Sequence, residues 1–449
     1  MSTNAVALFA PIPYNYVMRL TTLNLTHYKT IEEPLFITHF SDLHILIGPN
    51  NSGKTNLLDA IEFLLSAAPD ADRLYDPSAN LSLTLAAPEG AEITFSHKNE
   101  KRAFLINGEE TDESNLRLCE MHKRFIRIAP VVSLEQLIRR DLAEFHTNHP
   151  REYQLFHTVL REYFSDIELS EELFVANVFA DRKERPVARM GEGFKRLFVM
   201  LFYIFHPDYH IILIDEPELH MHPTVVKRFL RALIEKQSGK QIFLTTHSSV
   251  FVRSQTLGRL WRVVRDEKRN TKVYSLPQAL TALPKDRLVQ ELDADNSEMF
   301  FADKVLLVEG VSDRILMRGL IDRFYTGESD IKVVYTGSKG NMDVYVDICR
   351  AFHIPYAVML DCDALHGAWS ELLKNCLKGY HKVPREKQIE ILRHQSVFIL
   401  DCVLEDSYPK RYQTRDTKPL NALLAARMIT EENFKSPQMR RIRDVVQSL

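Results

Sequence analysis

Hydrophobic positions along this chain fall into two runs of strand and helix patterns, parted by a stretch at about 277–300 that reads as a connector. In the first run, VMRLTTLNLTHYKTI (17–31) alternates with period two and predicts a half-buried strand. LHILI (43–47) is continuously apolar, predicts a buried strand and enters a glycine-containing turn. NLLDAIEFLLSAA (56–68) then has helical spacing, and AEITFSHKNEKRAFLING (91–108) predicts a hairpin with a charged turn. Residues 112–178 carry charged and aromatic side chains at helical spacing, which predicts a helical insertion. The apolar helix GFKRLFVMLFYIFH (193–206), the buried strands IILID (211–215) and QIFLTT (241–246), and a hairpin over 261–276 follow. From 303 the pattern restarts as strand KVLLVEG (304–310), helix (312–325), strand IKVVYTG (331–337), helix (342–352) and strand YAVMLDCD (356–363), closing on a helical tail ending at 449. Such alternation predicts parallel sheets with helices on their faces, in domains at about 1–295 and 301–449.

The turn after 43–47 reads GPNNSGKT, a full Walker A loop. Its glycines, Gly48 and Gly53, let backbone N–H groups of Asn50, Asn51 and Ser52 approach phosphates at a helix N-terminus. Lys54 would reach the β- and γ-phosphates of ATP, and Thr55 would ligate Mg²⁺. Asp215 ends the strand IILID, where a carboxylate would hold that ion, and Glu216 beside it could polarise the attacking water. His247, at the end of another buried strand, is placed to sense the γ-phosphate. Gly191 and Gly193 open the helix before the Asp215 strand and expose N–H groups to an anion. These motifs resemble ABC-type ATPases of the SMC and RecF kind, with Met190 where their signature has serine and Gln136 as a candidate Q-loop glutamine. The resemblance implies ATP sandwiched between two protomers, hence at least a homodimer.

The second run carries a different acidic set. Asp361 and Asp363 stand two apart at a strand end, which in an extended strand sends both carboxylates to one face. Hard oxygen donors suit Mg²⁺ or Mn²⁺. Glu309 ends another strand beside Gly310, and Asp313 lies one helical turn on. Strands of a parallel sheet deliver such residues to the same carboxyl edge. EGVSD, GSKG and DCD resemble a Toprim domain, and a P-loop ATPase followed by Toprim resembles the OLD family of ATP-dependent nucleases, some of them acting in anti-phage defence. The resemblance covers roughly 18–435. It implies an α/β fold: an ABC-type ATPase domain with a helical insertion, then a Toprim-like parallel-sheet domain. It further implies Glu309, Asp313, Asp361, Asp363 and Glu405 as metal ligands and Lys418 as the lysine that steadies the phosphate.

Composition sets limits on these readings. The 449 residues are 45% hydrophobic and 26% charged, enough for two or three soluble domains. No apolar run reaches the roughly 20 residues of a spanning helix, so no membrane partner is expected. Five cysteines without a CxxC pair suit free thiols in the cytoplasm. The net charge of −3 gives no general attraction to nucleic acid. Local basic clusters are Arg139 and Arg140, Arg182 to Arg185, Lys195 and Arg196, and Arg440 to Arg443. The expected function is ATP-dependent, metal-dependent endonucleolytic cleavage of DNA in anti-phage defence, with a defence-system partner protein or RNA as a further candidate partner and, in the RNase or toxin alternative, as its control. Two alternatives remain: an ATPase-regulated Toprim RNase or toxin, and a RecF-like clamp that does not cut.

Overall fold

This computed structural model describes residues 18–66, 76–86, 90–111, 125–129, 141–164, 167–169, 175–178, 183–235, 239–276, 296–337, 339–366 and 369–449. Contacts divide the chain into two units. One is Met1–Phe251 with Arg259–Val273, and the other is Val252–Gly258 with Tyr274–Leu449.

The first unit is built on the Lys54–Leu65 helix, sandwiched between two sheets. An antiparallel sheet runs in the order Leu35–Ile37, Arg19–Thr26, Asn80–Ala86, Glu92–Lys98, Lys101–Ile106, Glu109–Thr111. In Asn80–Ala86 burial alternates strictly, so Leu81, Leu83 and Leu85 point together toward Leu57, Leu58, Ile61 and Leu64 of the helix. On the helix's other side lies the second sheet, ordered Thr271–Ser275, Leu260–Arg265, Leu43–Ile47, Gln241–Thr245, Ile211–Asp215, Phe125–Ile128. Its three central strands are buried at every residue, which is why they read as unbroken apolar runs. Their parallel register brings Ile47, Asp215 and Thr245 to one carboxyl edge.

Two expectations need correction here. The stretch 112–178 is not wholly a helical insertion: Phe125–Ile128 pairs parallel with Ile211–Ile214 as the sheet's edge strand. Four residues are too few to show a period among charged neighbours. Helices occupy Ala143–Asn148 and Pro150–Tyr163, and the short strands Ile167–Leu169, Val175–Val178 and Lys183–Pro186 form a separate three-stranded sheet. The stretch before 300 is not all connector either, because Asn296–Phe300 is a 3-10 turn with Met299 and Phe300 fully buried.

In the second unit four parallel strands run in the order Ile331–Tyr335, Lys304–Val308, Tyr356–Leu360, Val397–Ile399. One face is covered by the Val311–Phe324, Lys418–Met428 and Arg440–Ser448 helices through Leu316, Leu320, Ala422, Ala425 and Val445. A Cβ on Gly319 would lie 2.7 Å from Cβ of Ala426, so only glycine permits the first two helices to touch this closely. The predicted tail helix is the last of these three.

Candidate nucleotide and metal sites

The Walker A loop is shaped by backbone that only glycine accepts. Gly48 has φ 138°, and a Cβ there would stand 2.0 Å from the carbonyl oxygen of Val263. Gly53 has φ 104° and would collide with the hydroxyls of Thr271 and Thr30. Lys54 opens the following helix, and its Nζ donates to the carbonyls of Gly48 (3.0 Å) and Pro49 (2.8 Å), holding the ammonium across the loop. Burial pulls this lysine down to about 8, against the opposing pull of Glu216, Asp215 and Glu218.

Asp215 is enclosed by donors. Its Oδ1 accepts from Thr245 Oγ1 and faces Thr55 Oγ1 at 3.4 Å, while Oδ2 accepts from Arg127 Nη2 at 2.9 Å. The same guanidinium reaches Asp59 (2.8 Å) and Glu62 (3.4 Å), one and two turns into the phosphate-loop helix. Arg127 thus joins the Phe125–Ile128 strand, that helix and the Asp215 strand through three carboxylates. Sequence reasoning missed it; its short strand, amid charged residues, carried no readable period.

Glu216 adopts φ 49°, a left-handed conformation that costs a non-glycine residue on the order of 1 kcal/mol or more. The turn is held because Arg196 donates to the carbonyls of Asp215 (2.5 Å) and Glu216 (2.8 Å). Arg196 is therefore a buried clamp and not part of a basic surface, since its third partner is the carbonyl of Ala129. His247 Nε2 lies 3.7 Å from Glu216 Oε1, and burial followed by the charge of Lys54 pulls the imidazole below its ordinary value. Glu218, also missed, accepts from Thr246 Oγ1 and the His247 backbone N–H, both at 2.8 Å. Its other oxygen is buried without a hydrogen bond, and burial raises its pKa. The signal was there as the third acid of DEPE. Gly191 caps the Glu192–Phe205 helix, and a Cβ on Gly193 would stand 2.5 Å from the carbonyl oxygen of His220. Gln136, Arg139, Arg140 and Arg182 lie outside the described residues.

In the second unit, Glu309 and Asp361 each follow the last residue or two of neighbouring strands whose register sets Val308 beside Met359. Asp313 is largely buried, accepts from the Gly310 N–H at 2.7 Å and is pushed up to about 7. Burial dominates that rise, and the charges of Asp361, Glu309 and Glu405 add to it. Glu405 pairs with Lys418 Nζ at 3.1 Å, which raises the exposed ammonium, and Asp361 and Asp313 act on it in the same direction. Glu309, Asp313, Asp361, Glu405 and Lys418 therefore gather at one sheet edge.

Asp363 departs from expectation. The strand ends at Leu360 and Cys362–Leu365 is a 3-10 turn, closed by Ala364 N to Asp361 O (3.1 Å) and His366 N to Asp363 O (2.9 Å). Strand alternation thus stops before Asp363, which is exposed on the turn. Among the described residues no three His, Cys, Asp or Glu side chains close into a ready cage. The donors that do gather are carboxylates, and an all-oxygen set of this kind fits a hard divalent cation.

Domain families match in the same order as the two sites. Residues 18–162 match an AAA ATPase domain, and 123–253 an AAA domain described with the AbiEii toxin and type IV TA system. Residues 300–363 match the TOPRIM domain of overcoming-lysogenization-defect-like proteins. The chain thus carries an ATPase-domain match followed by an OLD-like Toprim match. It is 32% identical over 162 residues to an OLD nuclease of Thermus scotoductus, covering 34% of this chain and 30% of the relative. It is 26% identical to the Old nuclease of Escherichia phage P2 (42% and 36% covered) and 24% identical to the endonuclease GajA of Bacillus cereus VD045 (63% and 46%). The matches thus span about a third to a half of the curated relatives' length. An SMC head domain of Thermotoga maritima, 18% identical, covers 58% of this chain and 99% of its own with TM-score 0.43. Among the described residues no helix is long and apolar enough to cross a membrane.

Proposed function

We propose that this protein is an ATP-dependent, divalent-metal-dependent endonuclease that cleaves DNA, acting in anti-phage defence in the cytoplasm. The observation that carries the reading is the gathering of Glu309, Asp313, Asp361 and Glu405 with Lys418 at the carboxyl edge of a parallel sheet. These four carboxylates would hold Mg²⁺ or Mn²⁺, with Asp363 an outer contact on the turn. When bound, such ions supply a nucleophilic water and offset charge on a phosphodiester. The chain's own residues do the rest: Lys418 offers its ammonium to the phosphate, and Gly310 leaves room for the strand to approach.

In the ATPase unit, Lys54 and the loop N–H groups of Asn50, Asn51 and Ser52 would bind the triphosphate of ATP. Thr55 and Asp215 Oδ1 face each other across the position for its Mg²⁺. Glu216 would take the proton from the attacking water while His247, beside it, reads the γ-phosphate. Gly191 and Gly193 at the start of their helix would complete the nucleotide site of a second copy, so a homodimer is the expected assembly.

Incubation with plasmid DNA, with and without Mg²⁺, Mn²⁺ and ATP, tests the reading. Metal-dependent nicking or linearisation, absent in Asp361→Ala, is expected. Cleavage of RNA alone would turn the assignment to an RNase effector, and metal-free or Asp361-independent cutting would place the chemistry elsewhere.

A further inference from the structure

The acid edge repels the phosphates it is proposed to cut, and the exposed Lys418 pairs there with Glu405. The chain's net charge of −3 supplies no general attraction. In the other described basic clusters of the sequence, Arg196 is buried, Arg441 pairs with Asp401 at 2.9 Å, and Arg443 donates to the carbonyls of Phe434 and Ser436.

One further basic segment does face solvent. KGYHKVPREK (378–387) carries four cations against a single acid, with His381 among them. Lys378, Lys382 and Lys387 are exposed and form no ion pair among the described residues, and Tyr380 is 48% exposed between the first two. A merely solvated loop needs no anchor, yet this one is pinned. The buried amide of Gln388 donates to the carbonyls of Tyr380 (3.2 Å) and His381 (3.3 Å). Arg385, first residue of the Arg385–His394 helix, donates to the carbonyl of Cys362 (2.7 Å) and to His366 Nε2 (2.8 Å). Cys362 is the residue between Asp361 and Asp363, so the segment is fastened to the turn that carries them. Topology agrees: the helix leads back to the start of the Val397–Ile399 strand, which leaves its N-terminus and the loop before it at the sheet's carboxyl edge.

We propose that Lys378, Lys382 and Tyr380 form the docking surface for a nucleic-acid strand entering the acid edge, lysines on phosphates and the tyrosine ring under an unstacked base. This rests on the nuclease reading and names its substrate-holding face. Fixed cations beside the acids would offset their repulsion and set the strand's register against Asp361.

The test measures binding of a fluorescein-labelled short DNA duplex and its single strand by anisotropy across a salt series. Asp361→Asn protein, expected to bind without cutting, is compared with the same chain also carrying Lys378→Glu and Lys382→Glu. The added pair should weaken binding roughly tenfold or more and lower the slope of log K on log salt by about 2, since each phosphate contact contributes roughly 0.9. Melting temperature and ATP turnover without DNA should be unchanged. Equal affinity with an equal salt slope would overturn the docking surface while leaving the nuclease reading in place. Failure of the Asp361→Asn protein to bind DNA at all, or its cutting at the wild-type rate, would sink the nuclease reading itself.

Discussion

The two acidic sites solve the same electrostatic problem in opposite ways. In the ATPase unit, Asp215, Asp59 and Glu62 share one guanidinium, that of Arg127, and Arg196 clamps the turn beside them. In the Toprim unit burial, helped by the charges of Asp361, Glu309 and Glu405, raises Asp313 to about 7, and the exposed Lys418 pairs with Glu405. The difference teaches that one site is preorganised by fixed protein charge, whereas the other leaves its negative charge to be met by what it binds.

The largest effect should come from separating the sites. Lys54→Ala should lower ATP hydrolysis on the order of 10²–10³-fold, the scale of losing a charge-stabilising group, without unfolding the chain. Asp361→Ala should remove metal-dependent cutting to a similar degree and spare ATP turnover. Measuring both activities in both variants checks this; loss of ATPase in Asp361→Ala would mean the sites are not chemically independent.

A smaller effect is expected from removing the fixed charge. Arg127→Ala leaves three half-buried or buried carboxylates facing one another and should destabilise the protein by roughly 3 kcal/mol, as when one partner of a buried pair is lost. Urea unfolding gives the number, and adding Asp59→Asn should restore part of it. A wild-type midpoint in Arg127→Ala would remove the contrast drawn above.

The smallest effect near neutrality, and the sharpest in sign, is in acid. Burial pulls His44 and His206 from 6.5 to about 3, so the folded ATPase unit binds fewer protons than the unfolded chain between those values. Their stabilisation is complete above 6.5 and declines as pH falls from there. Asp313 runs the other way: raised from 3.8 to about 7, it favours folding as pH drops through about 7 toward 3.8. Melting curves in chelator across that range should therefore show the ATPase unit weakening first, and His44→Phe should flatten its slope. Uniform weakening of both units would contradict the opposed shifts.

Much of this was readable from the chain because it is local. A glycine loop between an apolar strand and a helix, or an acid ending an apolar run, declares itself within a few residues. Arg127, Arg196 and Glu218 do not: their meaning lies in meeting Asp215, Glu216 and His247 across 88, 20 and 29 positions. Asp363 misled for a related reason. The spacing of DCD implies one face only while the strand continues, and the chain turns at Leu360.

The 2.5 Å gap between a would-be Cβ of Gly193 and the His220 oxygen has a mechanical meaning. With no side chain between them, the start of that helix and the segment just past Glu216 cannot slide independently. Anything gripping the helix from a second copy would tug the hydrolytic corner with it, like a hand on a latch.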